Sequence, residues 1–137
     1  RHACSIAGYN LGAVAALLKK SSGDPYGIRE MFRGCVVPLK GTSDDILLRE
    51  VERRGASWDV CEHAPAYAGK DILLVCALRD SASIPEYHHR PLVAALASHG
   101  ARVSEELFDE EHGFDSGRIA LAEAVLRWMR HIGVIGK

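Results

Sequence analysis

Hydrophobic residues in this chain fall into short unbroken runs, separated by longer segments where apolar positions recur every three or four residues. The runs cover residues 3–7, bounded by Gly8; residues 34–39, centred on Val36-Val37 and ended by Pro38; residues 71–78; and residues 101–108. Apolar runs of this length between turn residues predict strands. The run Ile72-Leu73-Leu74-Val75-Cys76-Ala77 predicts a strand covered on both faces, whereas Val103 and Leu107 share a face with Glu105, which predicts a strand nearer the sheet edge. Between the runs the spacing predicts helices. Over 11–20, Leu11, Ala15 and Leu18 share one face, and Lys19-Lys20 suit a helix C-terminus. Thr42-Ser43-Asp44-Asp45 caps a helix running to Arg54, with Ile46, Leu47 and Val51 inward and Gly55 as its stop. A third helix lies near 88–99, ended by Gly100. The longest covers 116 to about 132, with a buried stripe of Ile119, Ala122, Val125, Leu126, Met129 and Ile132.

Strands alternating with helices imply an α/β fold: a three-layer αβα arrangement around a parallel sheet of about four strands. The 137 residues suit a single domain, 47% of them being hydrophobic and 26% charged. Seventeen Lys and Arg against eighteen Asp and Glu leave a net charge of −1, which excludes the basic footprint of a non-specific nucleic-acid binder and the imbalance of a disordered chain. Residues 3–18 carry no charge, but they are fewer than a spanning helix needs and rich in Gly and Ala, so no membrane role is expected. Lys19-Lys20 after that run, with only Arg1 and His2 before it, argue against a signal peptide. The first residue is Arg rather than Met, which points to a protein beginning upstream. Cys4, Cys35, Cys61 and Cys76 are scattered with no CxxC pair, as expected of free thiols in a reducing, cytoplasmic setting. Neither Cys61-Glu62-His63 nor His88-His89 has zinc-site spacing, so no metal is expected.

In doubly wound sheets chemistry collects at the C-terminal ends of the strands. Those ends carry Gly8-Tyr9-Asn10-Leu11-Gly12, then Arg79-Asp80, then Glu111-His112-Gly113-Phe114. A Gly-x-Asn-x-Gly turn, an Asp and a His follow the chain order of an α/β-hydrolase triad in all but the first residue type. The sequence resembles the C-terminal half of an α/β hydrolase, on the prolyl-oligopeptidase-like side of that superfamily. The resemblance rests on residues 6–13 for the nucleophile elbow, 72–80 for the strand delivering the acid, and 109–118 followed by the terminal helix with Trp128. It implies a serine hydrolase acting on ester or peptide bonds, with no metal or organic cofactor. Position 10 would be the nucleophile, His112 the general base and then acid, and Asp80 its orienting partner. Leu11 would supply an oxyanion amide, and Gly8 and Gly12 would frame the elbow.

Position 10 is Asn where that pattern asks for Ser. A carboxamide cannot pass a proton to His and attack a carbonyl, so hydrolysis is not expected of the chain as written. Asn does tolerate the positive φ of a tight turn. Ser5 and Cys4 are expected to be buried inside the first strand, and His63, His88, His89 and His99 to be surface residues. Everything before the elbow strand, including the second oxyanion donor, is missing, so one domain incomplete at its N-terminus is expected. The alternative function is a non-catalytic domain whose pocket binds an acyl or peptide ligand. A sheet edge left bare would also favour a homodimer or docking onto another chain. A flavodoxin-like nucleotide binder is disfavoured, because the first turn has neither GxGxxG nor Walker glycines.

Overall fold

The structure, a computed structural model, describes residues 2–20, 27–36 and 39–136. In chain order the elements are β1 (His2–Ile6), α1 (Leu11–Lys20), α2 (Ile28–Val36), α3 (Asp44–Arg54), 3-10 turns over Gly55–Trp58 and Val60–Tyr67, β2 (Asp71–Ala77), α4 (Pro85–Ser98), β3 (Arg102–Phe108) and α5 (Arg118–His131). The chain divides into two compact units, one formed by Arg1–Tyr9 with His63–Lys137 and the other by Asn10–Glu62.

The first unit is α/β with three layers. Its sheet is parallel in the order β1-β2-β3, with Ile72 opposite both Ala3 and Val103. Alternation along β2 explains the layering, because successive side chains of a strand point to opposite faces. Leu73, Val75 and Ala77 meet Phe114 and Trp128, with Val125 and Met129 of α5 packed against them. Ile72 and Leu74 meet Leu96 of α4 and Ala64, with Leu92 and Val93 alongside. The unbroken apolar run of β2 is therefore that of a strand covered on both faces. Pro85 opens α4 in the first turn, where its missing N–H costs nothing.

The other unit is helical. Val14, Ala15 and Leu18 of α1, Ile28 and Phe32 of α2, and Leu48 and Val51 of α3 are buried, each set at helical spacing. The Ser43 hydroxyl caps α3 by accepting from the Ile46 amide.

Four expectations are corrected. The run at 34–39 is not a strand where it is described: Gly34–Val36 close α2, Val37 and Pro38 lie outside the described residues, and the sheet has three strands among the described residues. The longer pattern prevails, since Ile28 and Phe32 stand four residues apart on a buried face while Arg29, Glu30 and Arg33 are exposed or ion-paired. The buried stripe of α5 sits one notch round the helix, on Leu121, Ala124, Val125, Trp128, Met129 and Ile132. Ile119 is 79% exposed and Leu126 41%, because placing the large Trp128 against β2 fixes the rotation. Gly55 does not stop α3 by a left-handed turn. Its φ is −56° and the chain runs on into the 3-10 turn; glycine is needed there because an added Cβ would meet the Ala15 Cβ at 2.5 Å. Finally, β1 is an edge strand with Cys4 exposed and Ser5 half-buried, rather than a strand sealed on both faces.

Candidate functional site

In the first unit Asp80 follows the C-terminal end of β2 and His112 follows that of β3. Past β2 the chain turns sharply at Asp80, whose Oδ1 accepts from the amides of Ala82 at 2.8 Å and Ser83 at 2.7 Å. This is the Asx-type turn an aspartate builds from its own side chain. The other oxygen, Oδ2, accepts from His112 Nδ1 at 2.7 Å. The Asp80 side chain is 1% exposed and that of His112 is 56% exposed.

The geometry fixes which tautomer a neutral ring adopts. A carboxylate only accepts, so the proton on Nδ1 belongs to the bond, and the neutral ring carries its lone pair on Nε2. An imidazole held this way, anchored by a sealed carboxylate and open at its far nitrogen, has what a general base requires.

The loop bearing His112 is tied at both ends. Arg79 reaches the Asp109 carboxylate and backbone carbonyl, each at 2.9 Å, and its own amide donates to the Glu110 carbonyl. The Ser116 hydroxyl donates to Glu110 Oε1 at 2.6 Å. Phe114 adopts φ +50° and is buried, edge-on to Phe108 with ring centres 5.7 Å apart. Burial of that ring among the core residues between α5 and the sheet sustains a backbone conformation that most residues avoid.

The turn after β1 corrects another expectation. The residue with positive φ is Ala7 (+45°), and Asn10 is not among the described residues that adopt one. The Ala7 amide still donates to the Val75 carbonyl, so the bonding of β1 to β2 reaches one residue beyond the strand before the chain bends away. Gly8 follows, where a Cβ would stand 2.5 Å from the Ser5 hydroxyl.

Sequence reasoning missed two residues here. Ser83 is 5% exposed and donates its hydroxyl to the Gly8 carbonyl at 2.6 Å. His88, expected at the surface, is buried and stacked on Tyr9, with ring centres 4.5 Å apart. Burial lowers its pKa, against an opposing pull from nearby Asp80. The pattern Asp-x-x-Ser before Ile84-Pro85 is the signal that would have pointed to Ser83, since it marks a capped turn into a helix. His89 on the next position meets Glu105 at 3.1 Å.

Asn10, Leu11 and Gly12 belong to the helical unit. Asn10 is 2% exposed and caps α1: its Oδ1 accepts from the Gly12 amide at 3.0 Å, and its carbonyl accepts from the Val14 amide. Its Nδ2 donates to Asp59 Oδ1 at 2.9 Å, an oxygen that also accepts from the Cys61 amide. Gly12 is required by this approach, because a Cβ there would stand 2.5 Å from the Asp59 Cα and nearer still to its Cβ. Leu11 opens α1, among the first-turn amides that lack acceptors within a helix. Burial, then the Asp59 charge, push the Cys61 thiol up to about 11, so it is no nucleophile at neutral pH.

Among the described residues no three His, Cys, Asp or Glu side chains come together as a metal site, and no helix is long and apolar enough to cross a membrane. Neither the protein-family models, the curated proteins nor the solved structures give a match to this chain.

Proposed function

We propose that the chain is a serine-hydrolase-type domain of the α/β-hydrolase superfamily, prolyl-oligopeptidase-like, that keeps its acid–base pair and has lost its nucleophile. Asp80 and His112 are the acid and the base, Asn10 holds the nucleophile position, and the Leu11 amide is the oxyanion donor. As it stands the chain does not cleave esters or peptides by acyl transfer, and no metal or organic cofactor enters the reading. The observation that carries it is the 2.7 Å bond from His112 Nδ1 to a sealed Asp80 at adjacent strand ends. The resemblance implies that a Ser at position 10 would give its hydroxyl proton to His112 Nε2 as the oxygen attacks, the proton then passing to the leaving group.

A second reading, a non-catalytic domain that binds an acyl or peptide ligand, draws support from Asn10 itself. Its carboxamide is committed to the α1 cap and to Asp59, which is a structural occupation rather than a reactive one.

Fluorophosphonate labelling and p-nitrophenyl ester turnover separate the two. The wild-type chain is expected to be inert in both assays. Asn10→Ser is expected to gain labelling that disappears again in Asn10→Ser/His112→Ala. A folded Asn10→Ser that stays unlabelled would favour the binding domain. Wild-type turnover that survives Asn10→Ala but is lost in His112→Ala would show that the nucleophile lies elsewhere.

A further inference from the structure

We infer that Ser83 is a positioning residue that locks the turn after β1 to the loop carrying the acid, and through that loop holds the His112 ring. The inference rests on the reading of Asp80 and His112 as an acid–base pair. Two bonds of Ser83 point in different directions. Its hydroxyl donates to the Gly8 carbonyl at 2.6 Å, and its amide donates to Asp80 Oδ1 at 2.7 Å. Asp80 then presents Oδ2 to His112 Nδ1 at 2.7 Å. One buried residue therefore connects the C-terminal end of β1 to the acid, and the acid connects to the histidine.

The two ends of this chain of bonds make the role specific. On one side lies the bend at Ala7-Gly8, where Ala7 has φ +45° and a Cβ on Gly8 would meet the Ser5 hydroxyl at 2.5 Å. A turn of that kind reopens unless its surroundings hold it. On the other side lies an aspartate whose Oδ1 is saturated by the Ala82 and Ser83 amides, so only Oδ2 is left for the ring. Moving Ser83 moves the amide that orients the carboxylate. The stack of His88 on Tyr9 braces the same turn from the first turns of α4, so Ser83 acts within a clamp that begins just before that helix and continues into it. Any α/β protein needs its loops packed; the added claim is that Ser83 sets the orientation of His112.

Low-temperature proton NMR of the whole chain tests this by following the low-field resonance of the His112 Nδ1 proton and its exchange with water. Asp80→Asn should abolish or strongly shift that resonance, which identifies it. In Ser83→Ala the exchange is expected to speed up about tenfold, as for a bond weakened by one lost buried hydrogen bond. Ser83→Thr, which keeps the hydroxyl, should restore the wild-type rate. Ser83→Cys, close in size but a weak donor, should behave like Ser83→Ala and covers the case where the alanine variant does not fold. Exchange unchanged in Ser83→Ala and Ser83→Cys, alongside a lowered Tm, would overturn the inference and leave Ser83 a packing residue. A wild-type chain with no such resonance would instead overturn the acid–base pair itself.

Discussion

Replacing Asn10 by Asp changes one atom in shape and inverts the electrostatics of a buried contact. In the wild type Nδ2 donates to Asp59 Oδ1 at 2.9 Å, and Asn10 is 2% exposed. In Asn10→Asp that donor becomes an oxygen, so two carboxylates face one another. Two unit charges about 4 Å apart at an effective dielectric of ~20 repel by about 4 kcal/mol. The N-terminus of α1 favours the new charge by up to about 1 kcal/mol. The cap survives, since Oδ1 still accepts from the Gly12 amide. The expected loss at pH 7 is therefore about 3 kcal/mol. Protonating one carboxyl offers no cheaper route at that pH, because each pH unit above its ordinary value costs about 1.4 kcal/mol.

The sign of the pH dependence follows. The new carboxyl has its folded-state pKa raised above the unfolded value, so the deficit is complete above the raised value and shrinks as pH falls. Below the ordinary carboxylate range the protonated group donates to Asp59 again, and the variant should approach wild type. Urea unfolding followed by circular dichroism at pH 7, 5.5 and 4.5 checks this. A variant within about 0.5 kcal/mol of wild type at pH 7 would refute the Asn10–Asp59 bond as a stabilising contact, as would a deficit that does not change with pH. Asn10→Ser keeps a capping hydroxyl and loses the Nδ2 bonds to Asp59 and to Cys61 Sγ, so it is expected to cost about 1 kcal/mol and stay folded for labelling.

Gly12→Ala should lower stability by about 1–3 kcal/mol despite the helix preference of Ala, because its Cβ would press on the Asp59 backbone; thermal unfolding measures it. At pH 8 the Cys61 thiol in the folded chain should alkylate about a hundredfold more slowly than in denaturant, since its pKa of about 11 stands two units above the ordinary 9.0; quenched iodoacetamide labelling with mass spectrometry reads the ratio. Asp71 is held at about 2, chiefly by the Arg102 guanidinium and also by His2. Its contribution is present above the ordinary carboxylate value and lost as pH falls through about 2, and Arg102→Ala should return its NMR titration midpoint toward 3.8.

How far the sequence could be read depended on what each segment answers to. β2 was legible because six consecutive apolar residues, Ile72 to Ala77, are too short a run for a helix and suit a strand covered on both faces. The bounds of α1 and the Ser43 cap were legible because caps and dipole charges are local. The rotation of α5 was not: Ile119 and Leu126 satisfy a helical stripe as well as Leu121 and Ala124 do. The choice between them is made by Trp128 packing on β2, a contact some fifty residues away in sequence. Residues 34–36 were misread for the same reason, since three apolar-leaning positions fit a strand until Ile28 and Phe32 extend the helix face through them. Asp80 and His112 were singled out by their order on the strand ends, and the structure brings the two side chains together. The bonds of Ser83 and Asp59 were not legible, because their partners, Gly8 and Asn10, lie 75 and 49 residues away in sequence.

The contact between Asp80 and His112 has a structural reason independent of any reaction, and that reason is visible in Asp80. One oxygen builds the turn from β2 toward α4, and that turn is needed whether or not anything reacts. Once the turn exists, the second oxygen is sealed from solvent and must find a donor, because a buried carboxylate without one costs several kcal/mol. The His112 ring supplies it. A domain that had abandoned hydrolysis would therefore still be selected to keep both residues for folding. Position 10 carries no such double duty, since Ser caps a helix about as well as Asn does. What Asn adds is the reach to Asp59. On the proposed reading, the Asp80–His112 pair is kept for the fold, and residue 10 is the position at which the Asn10→Ser test is decisive.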